Sequence, residues 1–234
     1  MFKFSYNELC RLFVEKFYSL KKNLNTWNGF NILAVDETSL QVPDTKECSE
    51  YFGLSSNQNK TRTAIASASA IYDVLNDIIV DARITKYRTS ERYMAQQHIE
   101  ALVDRLSSKN SIVIFDRGYP SYDMFDYLNN KELLFLMKVS TSFKLAQSID
   151  SDDSILEYKL KGEIKKVRVL KIKLSEEVTE VLVNNIYDEK ITPMEFKELY
   201  FLRWGVESKY KELKSSIKIE GFSGAKPVAI ERDF

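Results

Sequence analysis

The sequence is poor in the residues that cross-link a chain or interrupt its regular structure. Among 234 residues there are only two cysteines, seven glycines and four prolines. Cys10 and Cys48 are too few for a disulfide scaffold or a four-thiolate zinc site. So little glycine and proline excludes collagen-like and low-complexity chains. With 44% apolar residues, the composition indicates a globular protein of a reducing compartment with a sizeable hydrophobic core.

A single histidine, His98, narrows the range of enzyme classes. One histidine excludes catalytic or metal sites built from two imidazoles. His98 falls within a predicted helix, and we expect its side chain at the protein surface or at the boundary between surface and core. Neither a glycine-rich phosphate-binding motif nor a G-x-S-x-G motif occurs. Nucleotide-binding loops and Ser-His hydrolases are therefore disfavoured.

Long apolar runs are missing as well. No stretch approaches the ~18 uncharged apolar residues that a membrane-spanning helix needs. The first residues, MFKFSYNELCRLFVEKF, contain acidic residues within their apolar pattern, which is not typical of a signal peptide. We therefore expect a cytoplasmic protein with no membrane partner.

An excess of charge of either sign is also absent, since 34 Lys and Arg face 34 Asp and Glu. A DNA-binding protein usually has a basic footprint, and the average does not show one. Basic residues are nevertheless concentrated in particular segments. Lys159–Lys173 contains seven basic residues and one acidic residue, and the first thirty residues contain five and two. This concentration of basic residues is compatible with a nucleic-acid partner.

Apolar and polar periodicities predict an α/β chain with a mixed sheet flanked by helices. Two short apolar runs, Asn31–Asp36 and Ser111–Asp116, are typical of strands buried on both faces, and each ends in aspartate. Residues 40–60 are predicted to form a loop. The other predicted elements are helices over 5–25, 90–107 and 120–130, and strands over 64–72, 78–84 and 133–139.

The Lys-rich, alternating segment 140–190 is predicted to form antiparallel strands with one face in water. We expect it to be a separate β-rich insertion, with the Lys159–Lys173 stripe facing outward near the site. The chain then divides into a helical segment (1–29), the first part of the core (30–139), the insertion (140–190) and the second part of the core (191–234).

The second part of the core is predicted to be one helix from Pro193 to about Ser215. Thr192, Pro193 and Glu195 form a capping-box pattern at its start. At about 100° per residue, four polar residues lie in one narrow sector beside the buried face: Tyr200, Arg203, Glu207 and Lys214. The alternative interpretation is an exposed Arg203–Glu207 pair worth ~0.3 kcal/mol.

Three carboxylates carry the chemistry that the sequence suggests. Asp36 and Asp116 each end a buried strand, and Glu207 lies in the polar sector of the last helix. Each strand-end aspartate has an alternative role as a turn cap or as the partner of a nearby cation. Together the three offer an oxygen-only ligand set for Mg²⁺ or Mn²⁺. Two such ions can assist an in-line phosphoryl displacement.

Three motifs resemble those of the bacterial insertion-sequence-four transposases, which have an Asp-Asp-Glu catalytic domain. Tyr200, Arg203, Glu207 and Lys214 match that family's Y-x(2)-R-x(3)-E-x(6)-K signature at every fixed position. The segments Asp116-Arg-Gly-Tyr and Ala34-Val-Asp-Glu-Thr resemble the surroundings of its two aspartates, although a residue smaller than Glu37 is more usual. The resemblance covers about residues 30–234.

The resemblance implies a ribonuclease-H-like core with a β-rich insertion before the glutamate. It implies that two Mg²⁺ or Mn²⁺ ions are held by the metal ligands Asp36, Asp116 and Glu207. It further implies that double-stranded DNA at the transposon end is contacted by Tyr200, Arg203 and Lys214. The expected activity is DNA strand cleavage and strand transfer by a homodimer in a synaptic complex, in the bacterial cytoplasm.

Members of the family have a longer region before the first aspartate and continue past the position of Phe234. We therefore expect this chain to be a catalytic core. An alternative of a different class is a catalytically silent remnant that only binds DNA or a partner transposase. A third interpretation, a simple ribonuclease-H-like nuclease, is disfavoured because such an enzyme needs no Tyr-Arg-Glu-Lys helix.

Overall fold

The computed structural model describes residues 6–20, 23–56, 62–105, 110–149 and 151–234. The helices are α1 (Tyr6–Leu20), α2 (Lys46–Tyr51), α3 (Glu91–Arg105), α4 (Tyr122–Asn130), α5 (Lys144–Gln147), α6 (Pro193–Phe201), α7 (Trp204–Glu212) and α8 (Pro227–Asp233). The strands are β1 (Asn31–Gln41), β2 (Leu54–Ser56), β3 (Arg62–Asp73), β4 (Ile78–Lys86), β5 (Ser111–Phe115), β6 (Leu134–Val139), β7 (Asp153–Leu160), β8 (Glu163–Lys173) and β9 (Thr179–Asn184).

The core of the sheet has the strand order β4-β3-β1-β5-β6. Strands β1, β3 and β4 pair antiparallel, whereas β1, β5 and β6 pair parallel. This order and these directions confirm the predicted ribonuclease-H-like mixed sheet. The apolar run of β5 is buried along its whole length because helices cover both faces of the sheet.

Two helical layers enclose the sheet, and alternate side chains of each strand pack against one layer or the other. On one face Val35, Val113 and Phe115 pack with residues of α1, α3 and α4. On the opposite face Ile32, Ile112 and Ile114 pack with α6. Farther along that second face, α7 packs on β1 and β3. The second face therefore holds the helices whose residues were predicted to form the site.

The β-rich segment is not a separate sheet. Strand β9 pairs antiparallel with β6, with Leu136 opposite Asn184, and β8 and β7 follow outward. The prediction of an independent insertion sheet was therefore wrong. The physical reason is that β6 would otherwise end the core sheet with unpaired backbone groups, which β9 satisfies.

The strands of this segment were also predicted to have one face in water, and for β8 this prediction was wrong. Residues Val167–Leu170 are all buried, because α6 covers one face of the strand and the first helical layer covers the other. Arg168 is only 4% exposed. Its guanidinium binds Asp153 and the carbonyl oxygens of Asp188 and Ile191. Arg168 therefore does not belong to an outward-facing basic stripe.

Two further segments differ from their predictions. The predicted loop at 40–60 contains the end of β1, the helix α2 and the strand β2, with Thr45 capping α2; residues 57–61 lie outside the described part. In α1, Val14 is the buried contact, whereas Phe13 and Leu20 are exposed. The apolar pattern predicted this helix, but not the face that it buries.

The predicted long helix at 193–215 is interrupted. Its capping box at Thr192 and Glu195 is confirmed. After α6, however, a tight turn at Leu202 and Arg203 makes i→i−3 bonds, with the Arg203 amide 3.1 Å from the Tyr200 carbonyl oxygen. Helix α7 follows, and the last turn, Leu213–Ile217, is a π-helix. The side chains therefore do not follow one uniform 100° step.

Within the described ranges, no helix combines the length and apolarity needed to cross a bilayer.

Candidate active site

The two aspartates are placed side by side by the register of two parallel strands. The last pair of β1 and β5 is Val35 opposite Phe115. Asp36 and Asp116 each follow directly. Strand β1 continues to Gln41, but its pairing with β5 ends at this point. The two carboxylates therefore lie side by side at the carboxyl end of β5. The structure thus brings together the two aspartates that the sequence singled out.

Glu207 reaches this edge from α7. The helix is fixed on the sheet by Val206 and Tyr210, which pack against Ala34, Ala70 and Tyr72. Glu207 follows Val206 and is only half-buried, with a side chain 30% exposed. The third carboxylate is therefore held at the rim of the same surface.

A single guanidinium joins the three carboxylates. Arg203 Nη2 donates to Glu207 Oε1 at 2.7 Å. Arg203 Nη1 lies 3.5 Å from Asp36 Oδ2, and Nη2 lies 3.8 Å from Asp116 Oδ2. The residue is 4% exposed, so the alternative of a solvated Arg203–Glu207 surface pair is wrong. One positive charge faces three carboxylates at the centre of the site.

Aromatic rings enclose this guanidinium. Its central carbon lies 5.8 Å from the ring centre of Tyr200 and 5.7 Å from that of Trp204, which is cation–π range. Burial opposes its charge, but Tyr200 and the nearby carboxylates outweigh burial and raise the pKa of Arg203. The guanidinium therefore stays charged although it is buried.

Tyr200 positions the second aspartate. Its hydroxyl donates to Asp116 Oδ1 at 3.1 Å, and the amide of Arg117 donates to the same oxygen at 2.6 Å. Burial and then the charge of Asp116 raise the pKa of Tyr200, so the phenol keeps its proton and remains a donor. Tyr200 is itself largely buried, with 5% of its surface exposed.

Asp36 is the least exposed of the three carboxylates. Its Oδ1 accepts from the Glu37 amide at 2.9 Å. Its pKa is raised to about 6, chiefly by burial and further by the charges of Glu207 and Asp116, against the opposing effects of the Glu37 amide and Arg203. The raised pKa therefore reflects mainly the burial of this carboxylate, which disfavours its charged form.

Lys214 lies on the π-helical turn beside the first strand. Its ammonium donates to Thr38 Oγ1 at 2.8 Å and to the Ser39 carbonyl oxygen at 2.8 Å. Thr38 is two residues beyond Asp36 along β1. The fourth residue of the signature therefore adjoins the site but binds the strand rather than a carboxylate.

The residues fit a divalent cation by their chemistry, although they do not form a ready ligand cluster. Among the described residues, no group of three His, Cys, Asp or Glu is arranged to hold a metal ion, since Arg203 contacts all three carboxylates. The donors are all oxygen atoms, as Mg²⁺ and Mn²⁺ prefer, and the excess negative charge favours a cation. Asp36, Asp116 and Glu207 are the residues that would hold it.

Sequence reasoning missed a polar group behind the site. His98 was predicted at the surface, but it is fully buried, and this prediction was wrong. Its ring contacts Asp81 and Ser69. A signal was present: His98 lies four residues from both Met94 and Leu102, which are buried on the same face of α3.

A second contact from α3 was also missed. Arg92 Nε donates to the Tyr119 carbonyl oxygen and Arg92 Nη2 to that of Pro120, each at 3.0 Å. These bonds fix the loop that follows Asp116. No sequence motif marks Arg92, because its partners are backbone atoms.

The mixed sheet with helices on both faces is the ribonuclease-H-like fold. A solved structure with the same fold is the piggyBac transposase in a synaptic complex with hairpin DNA. The TM-score is 0.53 at 11% identity, over 87% of this chain and 45% of that chain.

The chain belongs to the Transposase DDE domain family, whose model matches residues 27–234. It is also similar to the transposase InsG of insertion sequence element IS4 from Escherichia coli (strain K12). The two are 20% identical over a 232-residue alignment, which covers 88% of this chain and 50% of that protein. The chain thus spans about half the length of this curated relative.

Proposed function

We propose that this domain cleaves DNA strands at the ends of an insertion sequence and joins them to target DNA, with two Mg²⁺ or Mn²⁺ ions. The observation that carries the proposal is the convergence of Asp36, Asp116 and Glu207 on Arg203. Three carboxylates, from within β1, from the end of β5 and from α7, are gathered at one place and form a site that a surface ion pair does not explain.

The protein supplies the ligands and their orientation. Asp36, Asp116 and Glu207 would hold the ions, which when bound activate water and stabilise the leaving oxygen in phosphoryl transfer. Tyr200 orients Asp116 by its hydrogen bond. Side-chain exposures of 20% and 43% for the two aspartates leave them accessible from solvent.

The proposed DNA contacts come from Tyr200, Arg203 and Lys214. A planar guanidinium can bind a phosphate as it binds a carboxylate, through parallel N–H bonds. Arg203 is therefore suited to two partners: the carboxylates when no ion is present, and a DNA phosphate when the carboxylates are neutralised. We propose double-stranded transposon-end DNA as the partner, bound by a homodimer.

The decisive experiment compares wild type with Glu207→Gln on supercoiled plasmid in Mn²⁺. The substitution preserves the shape of the side chain but removes its charge, so we expect cleavage to fall by a factor of about 10² or more while plasmid binding is retained. Glu212→Gln is the matched control. It removes a carboxylate from the same helix, where Glu212 binds Lys209, and it should cleave like wild type.

Calorimetric titration with Mn²⁺ separates an active site from a silent remnant. Wild type and Glu212→Gln should bind the ion, and Glu207→Gln should bind it more weakly. Absence of both Mn²⁺ binding and plasmid cleavage in wild type would reject the proposed function and favour the silent DNA-binding alternative.

A further inference from the structure

A buried hydrogen-bonded chain lies behind the first aspartate. His98 Nδ1 is 2.8 Å from Asp81 Oδ2, and His98 Nε2 is 3.0 Å from Ser69 Oγ. Ser69 Oγ in turn donates to the backbone carbonyl oxygen of Asp36 at 3.0 Å. Residues from α3, β3 and β4 are thus connected to the strand that carries the first carboxylate.

The order Ser-His-Asp is also that of a nucleophilic triad, but burial excludes this role. Ser69 and His98 are both 0% exposed, so no substrate can reach the hydroxyl. The hydroxyl is also already bonded to the Asp36 carbonyl oxygen. The chain must therefore act within the protein, at the peptide that follows Asp36.

The peptide that follows Asp36 lies just beyond the point where β1 stops pairing with β5. Pairing of β1 with β5 ends at Val35, and buried carbonyl groups beyond it need other donors. The Asp36 carbonyl oxygen accepts from two hydroxyls, Ser69 Oγ and Tyr210 Oη, the latter at 2.8 Å. Ser69 approaches from the side of α3, and Tyr210 belongs to α7. The peptide is therefore fixed from both faces of the sheet.

The available protons determine which atom donates and which accepts in each hydrogen bond of this chain. Ser69 has one hydroxyl proton, which goes to Asp36, so Ser69 must accept from His98 Nε2. The Asp81 carboxylate only accepts, so His98 Nδ1 donates to it. In this arrangement one ring nitrogen faces Asp81 and the other faces Ser69. Arg83 Nε also binds Asp81 Oδ2 at 2.8 Å, which holds the carboxylate in place.

We propose that His98, oriented by Asp81, is a positioning residue that acts through Ser69 to fix the backbone at Asp36. The inference rests on the proposed function of Asp36 as a metal ligand. An ion-paired network inside a core is a poor source of net stability, whereas a residue that orients a metal ligand typically changes metal affinity by about 10- to 100-fold.

Ser69→Ala is the cleanest test, because it removes only one hydroxyl oxygen from a packed site. We expect its Mn²⁺ dissociation constant to rise about tenfold, with its affinity for plasmid DNA unchanged. His98→Leu should behave similarly. His98→Gln, whose amide can still donate to Ser69, should bind Mn²⁺ more tightly than His98→Leu.

Tyr18→Phe is the control for general loss of stability. Tyr18 donates to Asp73 Oδ2 at 2.6 Å, at the end of β3 remote from Asp36 in the register. This variant should lose thermal stability but retain the Mn²⁺ affinity of wild type. Equal loss of Mn²⁺ affinity in Tyr18→Phe and Ser69→Ala would show that the network is merely structural and would overturn the proposal.

A measurement in metal-free protein makes the proposal independent of the ion. Amide hydrogen exchange at residues 36–38 should be faster in Ser69→Ala than in wild type, with no such change in Tyr18→Phe. If wild type binds no Mn²⁺, the proposed function fails and the exchange at 36–38 alone decides whether Ser69 holds this backbone. Unchanged exchange and unchanged Mn²⁺ affinity in Ser69→Ala would overturn the inference.

Discussion

Arg203 places a permanent positive charge among three carboxylates, almost entirely out of contact with water. In that position it neutralises part of the charge that a divalent ion would neutralise in the proposed reaction. Two buried atoms of the guanidinium, Nε and Nη1, find no hydrogen-bond acceptor in the described part of the chain. The contacts are thus electrostatic but incomplete in hydrogen bonding, which makes them suited to exchange for other partners.

We therefore expect Arg203→Ala to destabilise metal-free protein by about 3–5 kcal/mol, because it leaves carboxylates unpaired. Mn²⁺ should restore more stability to this variant than to wild type, since guanidinium and ion compete for the same oxygens. Thermal unfolding in chelator and in Mn²⁺ measures both effects, with Arg203→Lys as the charge-preserving control. Equal stabilisation of wild type and Arg203→Ala by Mn²⁺ would contradict this competition.

The raised pKa of Asp36 predicts a dependence of stability on pH. A carboxyl group whose pKa is about 6 in the folded chain is stabilised in its protonated form. Its contribution is present below pH ~4 and is lost as the pH rises through 6. Relative to Asp36→Asn, metal-free wild type should lose about 1–3 kcal/mol of unfolding free energy between pH 4 and 7.

Urea unfolding of wild type and Asp36→Asn in chelator, at several pH values, measures this difference directly. Carboxyl groups outside the site titrate equally in both proteins, so they cancel in the comparison. A difference that does not change with pH would show that Asp36 titrates normally.

At the scale of single elements, local patterns predicted most boundaries well. The apolar runs predicted β5 and the start of β1, which continues to Gln41 rather than ending at Asp36. The alternating segments predicted β3 and β4, and the capping box predicted the start of α6. The interruption at Leu202 and Arg203 could not be predicted, because both residues are compatible with a helix. It arises from packing, since α6 lies on β6 and β8 whereas α7 lies on β1.

Gly205 lies in α7, directly after this interruption, and provides a test of the packing there. A Cβ at this position would lie 3.4 Å from Val74 Cγ1 and 3.7 Å from Tyr72 Cε1, which are ordinary contacts. Gly205→Ala should therefore stabilise the protein by about 0.5–1 kcal/mol through helix propensity. Chemical denaturation measures the gain.

Gly118→Ala is the informative comparison. A Cβ at Gly118 would lie 2.5 Å from Glu91 Oε2, so the Glu91 carboxylate would have to move. We expect no gain in stability for this variant. A destabilised Gly205→Ala would show that α7 and β3 lie closer together than described.

At the scale of the whole molecule, all nine strands of the described chain form one sheet. The sequence predicted the strands of the inserted segment but not this continuity. Pairing of β9 with β6 joins residues about 45 positions apart, and no local pattern specifies so distant a partner. For the same reason the sequence did not predict the hydrogen-bond partners of His98, which lie on β3 and β4.

Continuity of the sheet predicts a single cooperative unfolding transition. Hydrogen exchange in native protein should give the amides of β9 and β6 similar opening free energies, because neither strand can separate without exposing the other. Exchange measured by mass spectrometry on peptides from both strands tests this. Much faster exchange throughout β7–β9 than in β6 would indicate an independently unfolding unit.

The buried Arg168 has a consequence for any attempt to make a minimal version of this domain. From β8 it binds the carbonyl oxygens of Asp188 and Ile191, just before α6 begins, and its guanidinium lies 5.1 Å from the ring centre of Phe196 within α6. The inserted strands thus fix the position of the start of α6, and α6 leads directly to α7 and Glu207. Removing these strands would remove the contacts that hold the start of α6, so a minimal version of the domain must retain them.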